Sequence, residues 1–284
     1  MDGTERVRPQ IAGLRRFYWV AVVLVTGVGV FTFVLSESTA RLFAWPIAPP
    51  LTAAFLGANY WSAFFLAFLS AREPVWGRAR ITYAVSIVFT SLTLLATLLH
   101  LDKFQFDNAN GWLWLIVYVV VPPWLLVLLP LQLREPGREP PRTAPLERWL
   151  IPVIAVQCVV VLVIGVALWV APSTADSLWP WTLTPLTARA AGAWLLALAA
   201  GLAVTLWEQD WLRVRVAVPT FAAMPLLQLV ALARFSGTLR WDGAGAWLYV
   251  AFLLSILLLG AFGLRRTWLA PREPAAPAAV PAAR

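Results

Sequence analysis

Eight apolar runs of roughly twenty residues, joined by short charged connections, leave this chain few folds to choose from. A helix needs about 20 apolar residues to cross the hydrocarbon layer of a bilayer. The runs are Phe17–Leu35, Leu51–Ala71, Ile81–Leu99, Trp112–Leu133, Trp149–Ala171, Leu186–Leu206, Val214–Ala233 and Ala246–Leu264. The seventh contains Pro219 and Pro225, which a span tolerates where neighbouring helices satisfy the freed carbonyls. A membrane β-barrel would show short alternating segments instead. The expected fold is all-α, an integral membrane bundle of eight transmembrane helices. Arg15 and Arg16 before the first run, with Ser38 and Ala40 after it, resemble signal-peptide flanks. That run is long for a signal core and reads as a retained helix.

A mean hydropathy of +0.76 and 61% hydrophobic residues exclude an ordinary soluble domain. The net charge of +8 does not mark a nucleic-acid protein, because the basic residues sit at the ends of runs and form no basic domain. Anionic lipid headgroups are the better partner. Counted by connection, 17 Lys and Arg fall on one side and four on the other, with Arg189 inside a run. Lys and Arg in short loops stay cytoplasmic, so both termini are expected inside. Arginine outnumbers lysine 21 to one and alanine is abundant, as in a bacterial chain, which places it in the plasma (inner) membrane.

Sliding the chain on itself by 135 residues gives 17 identities over positions 50–113, where chance gives about 6. Pro50-Leu-Thr-Ala meets Pro185-Leu-Thr-Ala, and Gly57-Ala meets Gly192-Ala. The expected organisation is a cytoplasmic segment at 1–13, a four-helix repeat at 14–136, a Pro/Arg-rich linker at 137–146, a second repeat at 147–274 and a Pro/Ala tail at 275–284. Four spans per copy return the chain to the same side, so the copies are expected in parallel orientation.

Two motifs recur. Glu73, Trp76, Arg78 and Arg80 match Glu208, Trp211, Arg213 and Arg215. Trp suits the headgroup layer, the arginines reach phosphates, and Glu can pair with an arginine. These are candidate interface anchors, with docking of a cytoplasmic partner as the alternative. Asp107 and Asp242 each precede an apolar run and are candidate helix caps, a carboxylate being favourable at a helix N-terminus. Small residues recur every four positions, at Ala54, Ala58 and Ser62 and at Ala193, Ala197 and Gly201. They assign the second and sixth spans to the crowded interior.

Chemistry has few places to reside. Arg189 lies just inside the sixth span, where it either snorkels or forms an anion site with Asp176, Asp242 or Glu37. Thr82, Ser86, Thr90, Thr93, Thr97 and His100 follow one face of the third span. They read as local hydrogen-bonding hydroxyls or as a polar path ending at His100. Asn59 lies at mid-depth and, with Gln157 and Gln228, requires partners. Arg189, Asn59, Thr93, Thr97 and His100 are the candidate solute-binding residues. Cys158, alone, makes no intrachain disulfide.

No Asp or Glu lies centrally in a span, which speaks against a carboxylate proton relay. One His makes a multi-His metal site unsupported, and no nucleotide-binding, serine-hydrolase or zinc-protease motif occurs. No cofactor and no catalytic residue is assigned. The favoured reading is a permease-like carrier of a small or lipidic solute, because membrane sites often lie where repeats meet. The alternative is a non-catalytic accessory or scaffold subunit docking a partner membrane protein. A membrane enzyme on lipid-linked substrates, with His100 as acid or base, ranks last. Convergence of the stripe, Asn59 and Arg189 on one open cavity favours the carrier; dispersal favours the scaffold.

Overall fold

The computed structural model describes residues 6–175 and 179–269. Asp176, the first five residues and the tail at 275–284 lie outside them. The long helices are α1 (Ala12–Gly29, prolonged by a wider π turn at Val30–Val34), α2 (Pro50–Arg72), α3 (Trp76–Leu99), α4 (Ala109–Arg134), α5 (Leu150–Val170), α6 (Pro185–Glu208), α7 (Val218–Arg234) and α8 (Ala244–Leu269). Among the described residues there is no named strand, only isolated bridges. Seven helices are long and apolar enough to cross a membrane, the composition of a multi-pass membrane protein.

α7 is the exception, at 17 residues. The apolar run begins at Val214, but Pro219 has no N–H to give to the Arg215 carbonyl, and Val218 N–H takes that carbonyl instead at 3.3 Å. The preceding Trp211–Val214 is a separate turn, capped by Asp210 Oδ1 at Leu212 and Arg213 N–H. Even so, α7 reaches the far end of the bundle, where Arg234 donates to the Phe33 carbonyl at 2.6 Å.

Helix starts keep the 135-residue step: Pro50 and Pro185, Trp76 and Trp211, Ala109 and Ala244. Packing follows it reciprocally. α2 lies on α7 as α6 lies on α3, and α1 lies on α2 as α5 lies on α6. α2 and α6 are the most enclosed spans, 72% and 56% buried, as their small residues predict. Glycines permit this closeness. A Cβ on Gly57 would stand 2.4 Å from the Phe33 backbone, and one on Gly192 would stand 2.9 Å from the Gly165 carbonyl.

At the arginine-rich end the halves exchange charges. Glu208, fully buried, accepts from Arg80, from Arg213 at 2.7 Å and lies 3.8 Å from Arg142. Its counterpart Glu73 accepts from Arg215 at 2.5 Å. Each glutamate thus binds the arginine of the other half, which supplies the pairing a buried charge requires. Residues 137–146 are fastened here as well. Arg8 N–H donates to the Arg138 carbonyl, Ala144 N–H to Asp210 Oδ2, and Arg213 to the Pro140 carbonyl.

Two expectations need correction. Trp76 and Trp211 are only 4% and 8% exposed, so they are core residues and not headgroup anchors. Trp211 Nε1 is spent on Glu147 at 3.0 Å. The α4 cap is Asn108, whose side chain accepts from Asn110 and Gly111 N–H. Asp107 stands one residue too early, and Asp242 is separated from α8 by Gly243; both are exposed.

Candidate functional site

Each half leaves a cleft between its outer helices, and the two clefts differ. In the first half, α1 and α4 converge only at the arginine-rich end. There Phe17 meets Trp124 edge-on, and Leu14, Leu125 and Leu128 fill the space. Further along, the helices part around a cavity of about 340 Å³. Its floor holds Phe17, Tyr18 and Thr82; its far end holds Phe43 and Trp114. Val23 and Leu113 line it while 71% and 52% exposed, so the cleft opens laterally between α1 and α4. In the second half the cavity between α5 and α8 is about 60 Å³ and lies toward the arginine-rich end, beside Leu150, Trp211 and Gly263. Gln157 Nε2 donates to Ser255 Oγ at 3.0 Å and ties α5 to α8 across it.

The sequence accounts for this difference. The segments before α1 and α5 correspond at a step of 136, since Gln10 N–H bonds Pro74 O as Leu146 N–H bonds Gln209 O. At that step Gln157 corresponds to Ala21 and Val163 to Gly27, both of which line the open cleft. Ser255 corresponds to Val120. The first half therefore lacks both partners of the crossbar, and its α1 is slimmer at Ala21 and Gly27 though bulkier at Phe17, Tyr18 and Phe31, where α5 has Val153, Ile154 and Ala167. A Cβ on Gly27 would meet nothing within 4 Å.

The open cleft is almost wholly apolar, with no Asp, Glu, Lys, Arg or His in its lining. Its polar groups are few. Thr82 is paired with Ser70 at 2.6 Å, Thr90 donates to the Ser86 carbonyl, and the Tyr60 and Tyr118 hydroxyls bond each other at 2.8 Å. Tyr18 differs from these: its side chain is fully buried, and its hydroxyl has no protein partner.

Of the polar stripe, Thr82, Ser86 and Thr90 line this cleft, whereas Thr93, Thr97 and His100 do not. Thr97 accepts from Trp114 Nε1 at 3.1 Å; Thr93 Oγ1 is buried and unpartnered. Arg189 Nη1 meets His100 Nε2 at 2.6 Å, a bond between α6 and the end of α3 that requires an unprotonated acceptor nitrogen. Burial, then the Arg189 charge, holds His100 below its ordinary pKa, partly opposed by Asp102. Asn59 instead borders a separate cavity of about 60 Å³, where its Oδ1 accepts from Gln228 at 3.1 Å and Gln228 accepts from Tyr249. The five candidate solute residues therefore do not meet in one place. Among the described residues no group of His, Cys, Asp and Glu is arranged to hold a metal.

No protein family, curated protein or solved structure matches the chain.

Proposed function

We propose that the chain is a carrier for a lipidic solute in a bacterial plasma membrane. In this reading it crosses eight times, as two four-helix units fused in parallel, with both termini cytoplasmic and the arginine-rich end against anionic headgroups. The observation that carries the functional part is the open, uncharged cleft between α1 and α4, set against its closed counterpart. A cavity without charge suits an apolar molecule entering sideways from lipid and penalises an ionic one. The two-unit architecture is supported by the repeated helix starts and by the reciprocal glutamate–arginine pairs. The eighth crossing is supported by the reach of α7 to Phe33.

Vesicles containing the purified protein and a fluorescently tagged diacylglycerol provide the test. Chemical quenching from outside is expected to consume inner-leaflet label faster than in protein-free vesicles. Gly27→Phe, which fills the cleft, is expected to return the rate to background. Equal rates with and without protein overturn the carrier.

An accessory-subunit reading has one observation in its favour: the candidate solute residues are dispersed, with Arg189, His100, Asn59 and Thr97 occupied by internal bonds. It predicts that removing the Trp76 and Trp211 side chains releases a co-purifying partner protein.

A further inference from the structure

The open cleft selects its occupant by more than greasiness. Three observations bear on the ligand, and they rest on the lipid-handling reading above. First, the lining is uncharged, so the part of the ligand inside is neutral. Secondly, the lining residues of α1 run from Phe17 to Phe31, which at 1.5 Å per residue is about 21 Å. That length suits a long hydrocarbon chain and not a compact solute. Thirdly, the Tyr18 hydroxyl is buried at the closed end without a partner.

A buried hydroxyl left unbonded carries a desolvation cost of about 1–3 kcal/mol, so such groups ordinarily find a partner. No bond joins it to the neighbouring hydroxyl of Tyr83, which donates to the Leu125 carbonyl at 3.2 Å. Tyr18 lies six residues into α1, about 9 Å along the helix from Ala12. A purely aliphatic chain would leave the hydroxyl unsatisfied at that depth. We infer that Tyr18 is the polar recognition residue of the cleft, and that the ligand is a long-chain, neutral, oxygen-bearing lipid whose hydroxyl or carbonyl oxygen accepts from Tyr18 Oη. Aromatic rings of Phe31, Phe89, Trp114 and Trp194 wall the remainder of the chain.

Two photoreactive probes of equal chain length decide this: a diazirine-bearing hexadecanol and the same chain without the hydroxyl. Both are incubated with the full-length protein in detergent, irradiated, and the labelled fraction is read by intact mass. Wild-type protein is expected to be labelled more by the alcohol, by about three- to tenfold, the range one net hydrogen bond supplies. Tyr18→Phe keeps the ring, and is expected to bring alcohol labelling down to the alkane level without changing the alkane value. Gly27→Phe, placed in open space and so expected to fold, abolishes both. Equal labelling of wild type by the two probes, or an alcohol preference that survives Tyr18→Phe, overturns the role of Tyr18. Labelling that survives Gly27→Phe overturns the site itself. The labelling pattern holding while tagged diacylglycerol fails to move between leaflets would sink only the carrier reading and leave this one standing.

Discussion

The two halves of this chain begin their helices in step, yet only one keeps its cleft open. In the second half, Gln157 and Ser255 bond across α5 and α8; in the first, the matching positions are Ala21 and Val120, and no side-chain bond can form. The backbones differ in the π turn that prolongs α1 and in the interrupted α7, but the crossbar itself turns on two side chains. In the proposed reading of two fused units, the second is the sealed one and the first is the one open to a guest. The charge exchange at the arginine-rich end is unequal in the same direction. Glu208 sits fully buried among arginines, whereas Glu73 depends on Arg215, whose side chain is 42% exposed.

That inequality gives the largest expected effect. Glu208→Ala leaves Arg213 buried without its acid and Arg80 with only Glu139 at 3.2 Å, and should destabilise the folded protein by about 3–5 kcal/mol. Glu73→Ala also removes a buried carboxylate and its bond from Val75 N–H, but it frees an arginine that already reaches solvent, so it should cost less, about 1–2 kcal/mol. Thermal unfolding in detergent compares the two; equal losses would erase the asymmetry. Next comes backbone approach. Gly57→Ala forces a Cβ against the Phe33 backbone and is expected to cost about 1–3 kcal/mol. Gly192→Ala, with its nearest neighbour at 2.9 Å, should cost less in the same assay. Gln157→Ala is milder still, about 0.5–1 kcal/mol, because Ser255 Oγ retains its bond to the Phe252 carbonyl. Its informative readout is labelling of the second cleft by an apolar photoprobe, which should rise from background.

The smallest effect concerns pH. A histidine held below its ordinary value of 6.5 contributes stability above that value, and the contribution fades as pH falls through the lowered pKa. The Arg189–His100 bond should therefore weaken on acidification and hold at neutral pH. Histidine NMR across about pH 4–8, which spans the ordinary histidine range, should report a midpoint below that of an exposed histidine. Arg189→Ala should move it upward, and a midpoint that stays put would remove Arg189 as a cause.

Much of this plan was legible in the residues. Apolar run length located the helices, and small residues at four-residue spacing placed α2 and α6 inside, because both signals are local. The Glu–Arg pairing was also foreseeable, but not its exchange between halves, which depends on how the units interlock. Trp76 and Trp211 misled because an indole is equally at home in headgroups and in a core that offers its N–H a partner. Pro219 foretold an interrupted seventh helix without saying where it would resume. The cleft was missed since a void leaves no motif of its own. Its trace was the replacement of Gln157 by Ala21 and of Val163 by Gly27, visible only once α1 and α5 are aligned at 136 residues instead of 135.

The most direct measurement is an experimental density map of the protein in a lipid nanodisc. It should contain one elongated, chain-like density between α1 and α4, ending at Tyr18, and none between α5 and α8. An empty first cleft with α1 closed onto α4, or equal density in both clefts, would contradict the account.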